Sequence, residues 1–200
     1  MRLLLPLLLL PLVALPAAAL EFPDLSTNTP RAHWHSLTEC PKDYSVYRVT
    51  YRAKKANAKQ AFDRLIHTHP AQLWSEPSRF VQLFDLGTGK SIRSAAEPVP
   101  ALKPGQVISL DLKIAPGYRI PVAFEVTRVE PEKLHAVFGY VTTNVSQGVQ
   151  DITFTQKGDS IEVIHDTCYQ SGKVVRDKVF YPPIHHHLIR KFYEHFFTGK

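Results

Sequence analysis

From Arg79 to Tyr169, outside the loops, the apolar residues of this chain recur largely at every second position, a periodicity that restricts the possible folds more than any other feature. Period two places successive side chains on opposite faces of an extended strand. Phe80 to Leu86 forms a short apolar strand, and the Gly-, Pro- and Ser-rich stretch Gly87 to Gly105 reads as a loop. Ile108, Leu110, Leu112 and Ile114 then alternate with Ser109, Asp111 and Lys113, and Pro116-Gly117 turns the chain. Val122, Phe124 and Val126 line one side of the next strand, and Leu134, Ala136, Phe138 and Tyr140 follow the turn at Pro131. Ile152 and Phe154 belong to a further strand ended by Lys157-Gly158-Asp159, and Ile161, Val163, His165, Thr167 and Tyr169 form the last. Strands that follow one another across short turns pair antiparallel.

Helical spacing flanks this block. Ahead of it, Tyr44 to Arg52 alternates as a first strand, and Asn57 caps a helix carrying Ala58, Ala61, Phe62, Leu65 and Ile66 on one face. Pro70 breaks that helix, and a short second one reaches Trp74. After the block, Pro182-Pro183 opens a long helix in which Ile184, Leu188, Phe192 and Phe196 recur every fourth residue. The order is strand, helices, about six strands and terminal helix, an α+β arrangement with one helical layer covering the sheet's apolar face.

The N-terminus carries an address. Arg2 precedes an apolar run from Leu3 to Leu15, and Ala17-Ala18-Ala19 supplies the small residues of a cleavage site, so residues 1–19 read as a signal peptide. The run is shorter than the roughly 20 residues that span a bilayer. The expected location is secreted or periplasmic. Residues 20–43, rich in Pro, Thr, Ser and His, read as an extended lead-in to a single domain over 44–200. Of 200 residues 44% are hydrophobic, too many for a disordered chain, and two cysteines are too few for a disulfide-built miniature. The formal charge of +6 includes a cluster at Lys54, Lys55, Lys59 and Arg64 but no basic stripe interleaved with aromatics, which disfavours nucleic acid and permits attraction to an anionic membrane surface.

Several chemistries are excluded by spacing. His185-His186-His187 are consecutive, so on a helix they diverge by about 100° each and do not converge on one metal ion. Gly87-Thr88-Gly89-Lys90-Ser91 has Phe84 where a phosphate loop needs its first glycine, and no helix follows. No metal and no cofactor is expected.

The element order from Tyr44 to Phe197 resembles the START or birch-pollen-allergen superfamily, whose helix-grip fold wraps a curved sheet of about seven strands around a long C-terminal helix. Within it, Pro104-Gly105-Gln106-Val107, Phe138-Gly139-Tyr140-Val141-Thr142, Phe154 and the region Arg176 to Phe197 are similar to a small bacterial and plant branch. That branch carries a His and a pair of acids where this chain reads Ser-Gln-Gly-Val-Gln-Asp over 146–151, so no role transfers from them. The resemblance implies a cavity between sheet and terminal helix for a hydrophobic ligand. It also makes the first and last strands antiparallel neighbours, which brings Cys40 beside Cys168 and favours a disulfide in an oxidising compartment. A thiol nucleophile at Cys168 served by His165 is excluded, because residues three apart on a strand face opposite ways.

On these strand phases His165 and Tyr169 face the terminal helix together with Tyr140, and His185 falls in that helix's apolar stripe. The expected lining of the cavity is Phe124, Phe138, Tyr140, Phe154, His165, Tyr169, His185, Leu188 and Phe192, with no catalytic residue assigned. The leading expectation is a monomeric, non-catalytic binding protein for a hydrophobic or lipid-like small molecule. The alternatives are a cyclase- or hydrolase-like enzyme using His165 or His185 as base, and a protein-interaction module with a filled core.

Overall fold

A computed structural model of the chain describes residues 31–141 and 146–199. The predicted signal peptide and residues 20–30 of the lead-in lie outside the described residues. The elements are β1 (Ser45–Lys54), α1 (Ala58–His67), α2 (Pro70–Leu73), β2 (Ser78–Asp85), β3 (Lys90–Ile92), β4 (Gln106–Ala115), β5 (Tyr118–Glu130), β6 (His135–Tyr140), β7 (Gln147–Lys157), β8 (Ser160–Gln170) and α3 (Tyr181–Thr198).

One antiparallel sheet holds all eight strands in the order β1-β8-β7-β6-β5-β4-β2-β3. β4 to β8 form the meander that the turn-separated alternation predicts, and β1 returns to pair with β8 along its whole length, with Val46 opposite Cys168. The sheet is curved, and α1, α2 and α3 close its inner side, so the fold is helix-grip α+β. Asn57 accepts a hydrogen bond from the Gln60 amide at 3.0 Å and starts α1, whose Phe62 and Leu65 are fully buried. α3 buries Leu188, Tyr193 and Phe196. It meets α2 where Trp74 lies 5.2 Å from Phe192.

Three details differ from the sequence reading. The Gly87–Gly105 loop contains the short strand β3, which makes eight strands where about seven were expected. Asp85 caps the intervening turn by accepting from the Gly87 and Thr88 amides at 2.9 and 3.1 Å, and three residues are too few to display a period. β7 begins at Gln147, inside the polar stretch 146–151 that concealed it. The terminal helix begins before Pro182, with a wide turn over Arg176–Phe180 in which the Tyr181 amide bonds the Arg176 carbonyl. Pro182 and Pro183 have no N–H to give the carbonyls four residues back, so the turn widens instead of breaking.

Part of the outer face of the sheet is also covered. Residues 31–43, the last part of the predicted lead-in, lie against it together with Tyr44: Arg31 pairs with Glu125 at 2.7 Å, Ala32 bridges Val141, and Trp34, Leu37, Cys40 and Tyr44 pack on Val137, Val149 and Cys168. Cys40 and Cys168 form a disulfide. Gly139 of β6 lies beneath this segment, and a Cβ there would come within 2.4 Å of the Ala32 Cβ and 2.5 Å of the Trp34 carbonyl oxygen. Gly139→Ala is therefore expected to lift residues 31–34 and cost about 1–3 kcal/mol, measurable by urea unfolding. An unchanged midpoint would mean that this segment contributes nothing to stability.

Candidate ligand cavity

Between the inner face of the sheet and α3 the chain leaves a cavity of about 1210 Å³. Its walls are built mainly from the period-two residues of β4 and β5, including Ile108, Leu110, Leu112, Val122 and Phe124, closed by Ile184, Leu188 and Phe192 of α3. Tyr118 and Phe180, 55% and 58% exposed, also line it and mark where it opens to the surface.

Among the residues expected at the site, Phe124, Phe138, Tyr140, His165, His185, Leu188 and Phe192 line the cavity. Phe154 and Tyr169 do not. Phe154 shares the inner face but lies deeper, with its ring 5.8 Å from Phe62 and 6.3 Å from Phe196, so α1 and α3 cover it. Tyr169 is covered by the ring of Tyr181, stacked 3.6 Å away, and by Tyr47 on its other side at 5.5 Å. Strand phase specifies the face a side chain takes, while what lies over it depends on the helices.

Four polar residues of the cavity, His165, Gln150, Tyr140 and Tyr181, form one hydrogen-bonded chain that continues to the buried Tyr193 behind the wall. Tyr193 meets His165 Nδ1 at 3.1 Å, His165 Nε2 meets Gln150 Oε1 at 3.2 Å, Gln150 Nε2 donates to the Tyr140 hydroxyl at 3.1 Å, and Tyr140 meets the Tyr181 hydroxyl at 2.6 Å. His185 bonds Thr167 Oγ1 at 3.2 Å, and its ring stands 6.1 Å from that of His165. Burial disfavours charge on all of these groups. It holds His165 well below the usual imidazole range, with His185 acting in the same direction, and brings His185 down to about 4. It also lifts the Tyr140 and Tyr181 hydroxyls, the latter further because Tyr140 adjoins it. Both histidines are thus neutral near pH 7.

Gln150 and Tyr181 belong to this chain and are absent from the sequence reading. Gln150 sits in the polar stretch that disguised the start of β7, and Tyr181 immediately precedes the prolines taken as the helix start. One signal was available for Gln150, its even spacing with Ile152 and Phe154. Of the consecutive histidines, His185 is buried while His186 and His187 are exposed. Among the described residues no group of three or more His, Cys, Asp or Glu is placed to hold a metal ion.

No family model matches the sequence, and no curated protein matches it. Solved structures match it in fold. A major latex-like protein of Panax ginseng superposes with a TM-score of 0.53 at 13% identity, covering 74% of this chain and 93% of its own. The protein Ms6760 of Mycobacterium smegmatis gives 0.52 at 13% identity over 79% of this chain and 98% of its own. TTHA0849 of Thermus thermophilus gives 0.54 at 11% identity over 76% and 94%. At such identities the likeness is one of fold alone, and that fold is the helix grip expected from the element order.

Proposed function

We propose that the protein is a non-catalytic, monomeric carrier of a large hydrophobic or amphipathic small molecule, secreted or periplasmic, with its ligand held between the sheet and α3. The observation that carries this reading is the cavity. Protein interiors pack to the density of organic crystals, and an unfilled volume leaves its lining without contact partners. About 1210 Å³ walled by aliphatic and aromatic side chains exceeds the roughly 300–1,000 Å³ of ordinary small-molecule sites. Such a volume suits a long-chain or multi-ring ligand and weighs against a module with a filled core. The chemistry of the histidines weighs against the enzyme reading: both ring nitrogens of His165 are engaged within the protein, and His185 at about 4 is a poor base near neutral pH. The Cys40–Cys168 bond supports an oxidising compartment.

Leu110→Trp, which places an indole in the cavity, is expected to weaken binding of the uncharged dye N-phenyl-1-naphthylamine at least about tenfold while leaving the fold intact. Fluorescence titration with thermal unfolding as control measures this. Undiminished dye binding would place the ligand elsewhere.

The rim supports an anionic membrane surface as the place of exchange. Val174, Val175, Val179 and Phe180 are 68%, 64%, 59% and 58% exposed, in one stretch with the exposed Lys173 and Lys178 and beside the opening. Exposed apolar side chains among basic ones suit the interface of an anionic bilayer. The protein is expected to sediment with vesicles containing phosphatidylserine more than with pure phosphatidylcholine, and Val179→Asp to abolish the difference. Equal sedimentation with both would refute this part.

A further inference from the structure

The hydrogens along the buried polar chain can be counted. An amide oxygen only accepts, so the hydrogen between His165 and Gln150 Oε1 sits on Nε2. A neutral imidazole has a single N–H, so His165 Nδ1 accepts from the Tyr193 hydroxyl. Gln150 Nε2 donates to Tyr140, and Tyr140 and Tyr181 share one bond. These two hydroxyls own two hydrogens, and the shared bond uses one. The other has no acceptor among the described residues, and both tyrosines line the cavity. His185, stacked on Tyr181 with ring centroids 5.2 Å apart, likewise has one ring nitrogen without a protein partner among the described residues.

Among the described residues no unpaired charge faces this donor. Two arginines reach the cavity wall, and both are engaged within the protein, Arg119 by two carboxylates and Arg176 by Ser171 with Asp177 nearby. Arg119 Nε lies 2.7 Å from Asp111, and its Nη2 is 3.2 Å from Glu76. Arg176 Nε donates to Ser171 Oγ at 2.7 Å and stands 3.7 Å from Asp177. A carboxylate or phosphate entering the cavity would lose its hydration and find no free cation in exchange. A carbonyl or hydroxyl oxygen requires only one donor, which the tyrosine pair supplies.

We infer that the cavity selects an uncharged ligand, an ester, ketone or alcohol on a large apolar body, by one hydrogen bond from the Tyr140–Tyr181 pair, and discriminates against the carboxylate of the same body. The inference rests on the carrier reading and deepens it.

Three competitors of one chain length test it: dodecane, methyl dodecanoate and dodecanoate, each displacing N-phenyl-1-naphthylamine from the disulfide-bonded protein at neutral pH. The ester is expected to bind at least about tenfold tighter than the carboxylate. Replacing either tyrosine alone leaves the remaining hydroxyl's hydrogen free, so Tyr140→Phe and Tyr181→Phe each keep part of the ester preference. The double variant is expected to lose about three- to tenfold in ester affinity with dodecane unchanged. If the carboxylate binds as tightly as the ester in the unaltered protein, the selectivity is overturned and the carrier reading stands. If neither dye nor any competitor binds, both fall together. The wild-type comparison requires no variant to fold.

Discussion

Replacing Cys40 and Cys168 together by alanine is expected to lower the unfolding free energy by about 3–5 kcal/mol and the melting temperature by roughly 10 °C. The bond joins residues 128 apart, so it removes the loop-closure freedom of most of the domain from the unfolded chain. It also ties residues 31–44 to β8, beside Val46 of β1, at the outer face. Cys168 is fully buried among Trp34, Leu37, Tyr44, Val137 and Val149, so the alanine leaves a small void as well. The binding site lies on the other face of β8, where His165 and Thr167 point. Dye affinity measured well below the new melting temperature is therefore expected to persist. A loss of affinity in parallel with stability would contradict this separation of faces, and an unchanged melting temperature would contradict the stabilising role of the bond.

Acid is expected to destabilise the fold through the two inner histidines. Both have folded-state pKa values below that of an unfolded histidine, so between about 6.5 and 4 the unfolded chain binds more protons. Their stabilising contribution is complete above pH 6.5 and fades as the pH falls. For His185, brought from 6.5 down to about 4, the loss between pH 7 and pH 5 is about 2 kcal/mol. His165 adds to it in the same direction. Urea unfolding at the two pH values measures the sum, and His185→Gln, which can still bond Thr167, should reduce the difference by about 2 kcal/mol. The carboxylates act in a lower window. Glu130, brought to about 2 by Lys133 and His135, contributes above its ordinary range near 4.5 and loses that contribution toward pH 2. A stability that is flat from pH 7 to pH 5 would mean that the histidines are hydrated.

The layout was legible in the sequence wherever apolar periodicity was long. Ile108 to Ile114 and Ile161 to Tyr169 fixed both a strand and its inward face; the pairing of Cys40 with Cys168 came instead from the helix-grip resemblance, which makes the first and last strands neighbours. Periodicity has no purchase on three residues, which hid β3, nor on a polar stretch such as 146–151, which hid the first part of β7. The site was legible by face and not by depth. His165 and Phe154 both point inward, yet only His165 reaches the cavity, because Phe62 and Phe196 cover Phe154. Tyr181 was concealed for a different reason. Consecutive prolines normally announce a helix start, whereas here the preceding turn widens around their missing amides and adds a residue that completes the polar chain.

The most direct test of the carrier reading is native mass spectrometry of the chain from residue 20, recovered with its disulfide intact from an oxidising compartment and followed by solvent extraction. The account predicts a protein mass raised by one uncharged, largely apolar molecule, lost from the Leu110→Trp variant. A mass equal to the polypeptide alone, unshifted by added methyl dodecanoate or by N-phenyl-1-naphthylamine, would contradict it.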